Sequence, residues 1–311
     1  MDLSTSYLGF RLKNPVVASA SPLSRTVEGV RQLADAGVGA VVLSSLFEEV
    51  LEAEARRHGA LVEAGSERFA ESLTYFPEAA LADAAPRRYL SLIERASSAV
   101  AIPVIASLNA VTPAGWTTYA RQMQDAGAVA IELNFLPSLP VEDEVSGRVI
   151  EERQLEALRL VKAVVSVPVA VKMNPCYSAA GEMARRFAAA GADGLVLFNR
   201  FLCPDIDPQA LAVVPSGGLS SPADGRLPRA WIALLRRRLT ISLAASSGVE
   251  GPDDVAKHLL AGSDVVMTAS ALLRHGPEYA QVLLGGLCAW MASKGFSRLE
   301  ELRGLLAAEA R

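Results

Sequence analysis

The sequence predicts an α/β fold in which residues 1–311 form a single TIM (β/α)8 barrel with inserted loops at its C-terminal face. Its composition, 51% hydrophobic and 21% charged over 311 residues, supplies apolar side chains for one large core and argues against disorder. Eight short apolar runs alternate with helical patterns, and four of these runs follow a helix that ends in Ala-Gly. Parallel strands that alternate with helices close into such a barrel, whose ligands bind at the carboxyl ends of the strands.

The repeated Ala-Gly phrase defines four of the predicted strands. A glycine after the last helical turn adopts the left-handed conformation that ends a helix. The β-branched run that follows is typical of a strand buried on both faces. The four copies are LADAGVGAVVLSS from Leu33, QDAGAVAIELNF from Gln124, AAAGADGLVLFNR from Ala188 and LLAGSDVVMTAS from Leu259.

Four further apolar runs alternate with these copies. In three of them a proline occupies the first predicted strand position, where it ends the preceding element without removing a ladder hydrogen bond. They are NPVVASAS from Asn14, IPVIASLN from Ile102, VPVAVKMNP from Val167 and LTISLAASSG from Leu239. A doubly wound open sheet is the alternative architecture, but no GxGxxG motif follows the first strand. The predicted strands cover residues 15–19, 40–44, 103–107, 129–133, 168–172, 194–198, 241–245 and 264–268.

Helical patterns with apolar residues three and four positions apart separate most of these strands, for example WTTYARQMQDAG and EERQLEALRLVKAVV. Two connections, 45–102 and 200–240, are longer than a βα unit requires. Long connections at a catalytic face usually form lids or substrate walls, so we expect both to border the active site.

Charge and cysteine content restrict the partners and the compartment. Thirty basic and thirty-four acidic side chains give a net charge of −4, which argues against nucleic acid and anionic membranes as partners. No uncharged apolar run reaches the ~18 residues of a membrane span, and the first residues lack a signal-peptide pattern. Three cysteines without a CxxC motif are typical of a reducing compartment. We therefore expect a cytoplasmic protein.

The predicted strand ends carry amides, hydroxyls and one lysine rather than a metal-binding set. They have no HExxH motif and no paired carboxylates, and the DxD of Asp205 and Asp207 precedes a proline turn, so we predict no metal site. The three histidines fall outside the strand ends and are expected at the surface or in loops. The residues at or just beyond the strand ends include Ser21, Ser44, Ser107, Asn109, Glu132, Asn134, Lys172, Asn174, Asn199 and Ser246.

This set of side chains favours a phosphorylated ring as ligand. Amides both donate and accept hydrogen bonds at the edge of a heterocycle, and an ammonium stabilises negative charge on it. Ser246 to Gly248 and Ala269 to Ser270 follow the seventh and eighth strands, where barrels commonly bind phosphate through backbone N–H groups. The alternative, that these residues only form turns, stays open at this point.

Along nearly its whole length the chain resembles the dihydroorotate dehydrogenase family of FMN-binding barrels. More narrowly, it is similar to the divergent bacterial dihydroorotate dehydrogenase-like branch. The segments that carry the resemblance are NPVVASAS, ELNF at 132–135, VKMNP with Lys172, DGLVLFNRF with Asn199, GGLSSP at 217–222, and SSGVEGPDDVAKHLLAGSDVVMTASALLRHGP from Ser246.

The resemblance implies a site for FMN and for a substrate stacked on the flavin. Lys172 would lie at the pyrimidine edge of the flavin and, with Asn134 and Ser138, would form the catalytic set. Asn199, Arg200 and Glu71 would contact the substrate. The implied cofactor-binding residues are Ala20, Ser21, Ser44, Ser45, Ser107, Asn109, Asn134, Lys172, Asn199, Gly218, Ser247, Gly248, Ala269 and Ser270.

The chain also departs from the pattern of family members that oxidise dihydroorotate. The Cys or Ser general base of those members is matched by Pro137, which cannot take a proton, and Ser138 is the nearest replacement. Ser44 replaces a lysine found after the second strand, and Glu71 would repel the carboxylate of orotate. Arg200 either supplies a compensating cation or pairs with an aspartate in its own loop.

The interpretation is an FMN-dependent oxidoreductase, acting on a CH–CH bond, that transfers hydride between a small anionic substrate and the flavin. The resemblance implies pyrimidine biosynthesis and a homodimer, with an unknown electron acceptor or donor. Two alternatives remain. One is a non-catalytic flavoprotein or binding subunit that retains the pocket, and the other is an aldolase or lyase with Lys172 as Schiff base.

Overall fold

A computed structural model describes residues 1–51, 53, 84–136, 145–200, 205–214 and 218–307. Glu71, Pro137 and Ser138, which the sequence analysis singled out, lie outside the described residues.

Eight parallel strands in the described residues form a closed barrel, as predicted. Each strand pairs with the next one along the chain, and the last pairs with the first, so that the sheet has no free edge within the barrel. The strands are β1 (Val16–Ala18), β2 (Ala40–Val42), β3 (Val104–Asn109), β4 (Ala130–Asn134), β5 (Val169–Met173), β6 (Gly194–Leu197), β7 (Ser242–Ser246) and β8 (Val265–Thr268).

Helices follow the strands and cover the outside of the barrel. The glycine in each of the four repeated phrases, at 37, 127, 191 and 262, has a positive φ of 97° to 113°, which confirms the predicted helix ends. None of the helices in the described part of the chain is both long enough and apolar enough to cross a bilayer. The helices are α1 (Val27–Asp35), α2 (Ala84–Ala99), α3 (Pro113–Asp125), α4 (Gly147–Val164), α5 (Ala180–Ala189), α6 (Arg226–Leu235), α7 (Pro252–Ala261), α8 (Ser270–His275) and α9 (Tyr279–Ser293).

Shorter strands lie at both ends of the barrel. An antiparallel hairpin, Thr5–Tyr7 with Phe10–Leu12, precedes β1, and Leu46–Phe47 pairs with the end of β3. A second hairpin, Asp205–Asp207 with Ala212–Val214, follows β6.

The barrel interior is divided into an apolar layer and a polar layer. Successive side chains of a strand point to opposite faces, so every second residue points inward. Tyr7, Leu8 and Leu12 of the first hairpin are buried against the apolar inward residues and close the amino-terminal end of the barrel. The apolar inward residues include Val17, Val42, Ile105, Ala130, Ala170, Val196, Ala244 and Met267.

One step further along the same strands, the inward residues become polar. Each lies two residues after an apolar inward residue, for example Glu132 after Ala130 and Lys172 after Ala170. All are at most 7% exposed. We call this set the polar layer; it consists of Ser19, Ser107, Glu132, Lys172 and Ser246.

Two aspartates in the repeated phrases anchor the amino-terminal ends of neighbouring strands. Asp264 accepts hydrogen bonds from the backbone N–H of Leu243 at 2.8 Å and from Arg236 at 2.9 Å. Asp193 does the same with Val169 and Lys162, both at 2.7 Å. The β5-α5-β6 and β7-α7-β8 units therefore share one local arrangement. In each unit, one carboxylate binds a cation from the end of the preceding helix and accepts a hydrogen bond from a strand N–H.

We expect Asp264→Ala to lower the free energy of unfolding by about 3 kcal/mol, because it leaves the partly buried Arg236 and Arg303 without their shared counter-ion. Asp193→Ala is the matched control. The Asp193 side chain is 38% exposed, so water replaces part of the lost bonding and we expect a loss of about 1 kcal/mol. Urea unfolding followed by circular dichroism measures the loss of unfolding free energy in both variants. Equal losses would contradict the inference that the two carboxylates make similar contacts but differ in burial.

His258 contradicts the expectation that the histidines lie at the surface or in loops. It lies on α7, is fully buried, and both of its ring nitrogens lack a hydrogen-bond partner among the described residues. Burial, together with the positive charges of Arg229 and Lys257, lowers the pKa of His258 to about 3. The imidazole is therefore neutral in the folded protein at ordinary pH.

This neutral histidine makes stability depend on pH. In the unfolded chain its pKa is about 6.5, so below that pH the unfolded state takes up a proton that the folded state does not. We expect His258 to reduce stability by about 1.4 kcal/mol per pH unit as the pH falls from 6.5 toward 5. His258→Leu should remove this part of the slope, whereas His275→Gln, at a partly exposed ion pair with Glu250, should retain it. Urea unfolding at pH 7, 6 and 5 gives the slope of unfolding free energy against pH for each protein. The same slope in wild type and His258→Leu would refute this prediction.

Candidate functional site

A cavity of about 310 Å³ opens at the carboxyl ends of the barrel strands, directly above the polar layer. Residues from the first, second, fourth, fifth, sixth, seventh and eighth strand ends line it, so residues distant in sequence meet there. The predicted site residues in its wall are Ala20, Ser21, Ser44, Ser45, Asn134, Lys172, Asn199, Arg200, Ser247, Ala269 and Ser270.

Lys172 supplies a positive charge in this wall. Its Nζ lies 3.3 Å from Ser19 Oγ and 3.5 Å from Glu132 Oε1. The sequence places Glu132 at a strand end without indicating a role for it, and it indicates none for Ser19. The period-two pattern of each strand was the signal that could have found them, because both are inward residues in the same layer as Lys172.

Two further predicted residues, Ser107 and Asn109, support the wall from behind. Ser107 Oγ shares a hydrogen bond of 2.8 Å with Ser45 Oγ, and Asn134 Nδ2 donates to the same Ser45 oxygen at 3.2 Å. Asn109 Nδ2 donates to the backbone carbonyl of Asn134 at 2.7 Å. These bonds orient the carboxamide of Asn134, whose Oδ1 is buried and has no hydrogen-bond partner in the described chain. An acceptor that is buried without a partner marks a place where a donor on a ligand can bind.

Tyr89, on α2, locks the carboxyl end of β3 beneath this network. Its hydroxyl donates to the carbonyl of Ser107 and accepts from the N–H of the same residue, both at 3.1 Å. Burial raises the pKa of Tyr89 well above its usual range, so the hydroxyl stays protonated. The helix thereby holds in place the serine on which Ser45 and Asn134 depend.

Asn199 ties two neighbouring strand ends together. Its Nδ2 donates to the carbonyl of Phe135 at 2.9 Å and to the carbonyl of Lys172 at 3.4 Å. The nitrogen is therefore occupied by the protein, and the carboxamide oxygen is the atom of Asn199 that is available to a ligand.

The loops after β7 and β8 present backbone donors at the other side of the cavity. The N–H groups of Ser247 and Ala269 have no acceptor within the described residues. Gly248 N–H instead donates to Ser220 Oγ at 3.3 Å, and Ser220 also donates from its N–H and its hydroxyl to Ser270 Oγ at 2.9 and 2.8 Å. Ser220 lies in the GGLSSP segment at 217–222, but that segment alone does not indicate this role, which joins the loop containing Gly218 to both donor loops.

The charges on the described wall are all positive. Arg25, Lys172 and Arg200 line the cavity, and no aspartate or glutamate does among the described residues. Arg25, which sequence reasoning missed, donates from Nε to Ser44 Oγ at 3.3 Å. It therefore brings a guanidinium to the position after β2 where the resemblance leads one to expect a lysine. A cationic wall of this kind attracts anions.

The alternative ion pair of Arg200 is not formed. Asp205 and Asp207 accept hydrogen bonds from backbone N–H groups of their own hairpin, and neither contacts Arg200. Gly218 is exposed, and a Cβ at its position would lie 3.9 Å from the Arg200 guanidinium.

The closed barrel, the cationic cavity at the carboxyl ends and the unpaired N–H groups define a (β/α)8 barrel whose pocket suits an anionic ligand. The family profile described as Dihydroorotate dehydrogenase matches residues 68–291, which is most of the chain. The chain therefore belongs to the dihydroorotate dehydrogenase family, a family of oxidoreductases.

Two relatives with similar sequences are named as dehydrogenase subunits. The catalytic subunit of dihydroorotate dehydrogenase B (NAD(+)) from Methanothermobacter thermautotrophicus is 28% identical, over 97% of this chain and 98% of that protein. The NAD-dependent dihydropyrimidine dehydrogenase subunit PreA from Escherichia coli K12 is 25% identical, over 98% of this chain and 76% of that protein.

Gly248→Ala tests the loop that carries the unpaired donors. Gly248 has a φ of +68°, and a Cβ there would lie 2.1 Å from the backbone nitrogen of Gly225. We expect a loss of about 2 kcal/mol in unfolding free energy, since the two loops must separate, together with loss of anion binding. Gly285→Ala, where an added Cβ meets nothing within 4 Å, is the control. Calorimetric titration with flavin mononucleotide measures binding, and unchanged affinity in the Gly248 variant would contradict the proposed role of this loop.

Proposed function

We propose that this protein is an FMN-dependent oxidoreductase that transfers hydride between the flavin and a small anionic substrate, acting on a CH–CH bond. The observation that carries the proposal is that one cavity is lined by Lys172 and by Ser247 and Ala269, whose N–H groups have no acceptor among the described residues. A phosphorylated heterocycle that gains negative charge on reduction needs both features, at opposite ends of one ligand.

The unpaired groups in the cavity wall fit this cofactor. Asn134 Oδ1 is a buried acceptor without a partner, which suits a ring N–H. The donors of Ser247 and Ala269 suit phosphate oxygens, and no acidic side chain in the described wall opposes them. These residues would hold FMN.

The chain's own residues supply orientation and electrostatics. Bound FMN would supply the hydride acceptor or donor. Lys172 would stabilise negative charge on the ring from a fixed position, without the reorganisation that water requires. Asn134 and the oxygen of Asn199 would orient the ring and the substrate, while Arg25 and Arg200 would attract an anionic substrate to the cavity.

The identity of the substrate depends on the loop after β4. Pro137 stands where the resemblance implies a Cys or Ser base, so Ser138 is the proposed replacement. Glu71 would repel the carboxylate of orotate. The proposal is therefore limited to a small substrate whose negative charge faces Arg25 and Arg200, and it does not assign dihydroorotate itself.

The names of the relatives also bear on the electron partner. Both are named as subunits of NAD-dependent enzymes. We propose by analogy that this chain exchanges electrons with a second protein or a soluble carrier. We also propose that it forms a homodimer in the cytoplasm.

Purified protein should show flavin absorption or take up added FMN. Lys172→Met should slow reduction of the bound flavin by at least about tenfold, because a preorganised charge contributes that much or more to such steps. Lys257→Met, at a lysine whose side chain is 54% exposed, is the matched control and should behave like wild type. Anaerobic absorbance spectroscopy with dihydroorotate, dihydropyrimidines and NADH measures both.

The outcomes separate the three interpretations. Absence of flavin and no uptake of FMN would overturn the proposal. Tight FMN binding without reduction by any candidate would favour the non-catalytic flavoprotein. Trapping of a carbonyl substrate on Lys172 by borohydride would favour the aldolase reading.

A further inference from the structure

A buried carboxylate lies in the polar layer with one charged neighbour. Glu132 is fully buried, and neither of its carboxylate oxygens has a hydrogen-bond partner within the described residues. The nearest cation is Lys172 Nζ, 3.5 Å from Oε1. The residue lies two positions before Asn134 on β4, so strand geometry points it into the barrel below the cavity.

Such a carboxylate is costly unless a cation balances it, because burial removes its hydration. The negative charge of Glu132 acts on two tyrosines of other elements, Tyr7 of the first hairpin and Tyr89 of α2. Burial, and then the negative charge of Glu132, raise the pKa of Tyr7 well above its usual range, so it is neutral. Burial raises the pKa of Tyr89 in the same way, and its hydroxyl is already committed to Ser107. Among the described groups around Glu132, Lys172 is the balancing charge.

Lys172 depends on the same contact. It is 7% exposed and has two polar neighbours in the described chain, Ser19 Oγ at 3.3 Å and Glu132. The Ser19 hydroxyl is a neutral partner, whereas the Glu132 carboxylate attracts the Lys172 ammonium by charge.

We propose that Glu132 is a positioning residue that holds the Lys172 ammonium in the cavity wall and thereby eases reduction of the ring bound there. The last part rests on the proposed function, whereas the charge pair itself does not. A glutamate without this role would act on the bound ring only through its own negative charge, which opposes reduction, so its removal would not lower the potential.

A stability cycle on the protein without cofactor tests the pair. Glu132→Gln and Lys172→Met each leave one buried charge without its partner, and both should lower the urea midpoint of unfolding. The double variant leaves neither charge, so its midpoint should exceed that of either single variant. If Glu132→Gln fails to fold, adding Lys172→Met should restore folding. Additive losses in the double variant would overturn the charge pair.

The reduction potential of bound FMN tests the consequence. Removing the carboxylate leaves Lys172 without the charged partner that positions it in the cavity wall. We therefore expect Glu132→Gln to shift the potential downward, in the same direction as Lys172→Met and by at least half as much. Ser19→Ala removes the other neighbour of Lys172 but keeps the charge pair, so its shift should be smaller than that of Glu132→Gln. Equilibration with reference dyes measures all four proteins.

A negative result in one of these two tests does not imply a negative result in the other. An unchanged or raised potential in Glu132→Gln, with FMN bound and Lys172→Met lowered, would overturn the positioning role and leave the proposed function intact. If wild type takes up no FMN, the proposed function fails, and the stability cycle still decides whether Glu132 and Lys172 form a charge pair.

Discussion

Closure of the barrel is the constraint on which the rest of this structure depends. In a closed parallel sheet every second side chain must point into an interior with little water. Near the amino-terminal end these side chains are apolar, and the first hairpin seals them with Tyr7, Leu8 and Leu12. Further along the strands the inward-pointing residues are serines, Glu132 and Lys172, the polar layer defined above. The ligand cavity begins where the interior changes from apolar to polar.

This arrangement gives the site both rigidity and charge. Strand residues hold the lower part of the cavity, and Tyr89 and Asn109 brace it from outside through bonds to backbone atoms. The loops after β7 and β8 add N–H donors, and Arg25 and Arg200 add cations at the wall. A negatively charged ligand therefore meets positive groups that are already in place, which is how a protein tunes a bound cofactor without supplying its chemistry.

Local patterns were sufficient to predict the barrel and the strand ends. The Ala-Gly phrases predicted the four left-handed glycines, and the apolar runs predicted all eight strands to within a few residues. These features depend on residues adjacent in the chain. Parallel strands of one sheet end on the same side. The strand ends alone therefore predict that Asn134, Lys172 and Asn199 line one cavity.

The sequence by itself therefore determined the architecture and the list of polar residues at the mouth. Only the tertiary structure decided which of them meet. Lys172 and Ser19 are 153 residues apart, and Ser220 and Ser270 are 50 apart, so no local pattern links them. His258 shows the same limit, since its helical pattern predicted a helix but could not tell how deeply α7 is buried. Contacts between distant residues arise from packing of the closed barrel, whereas strands and helix ends arise from local backbone preferences.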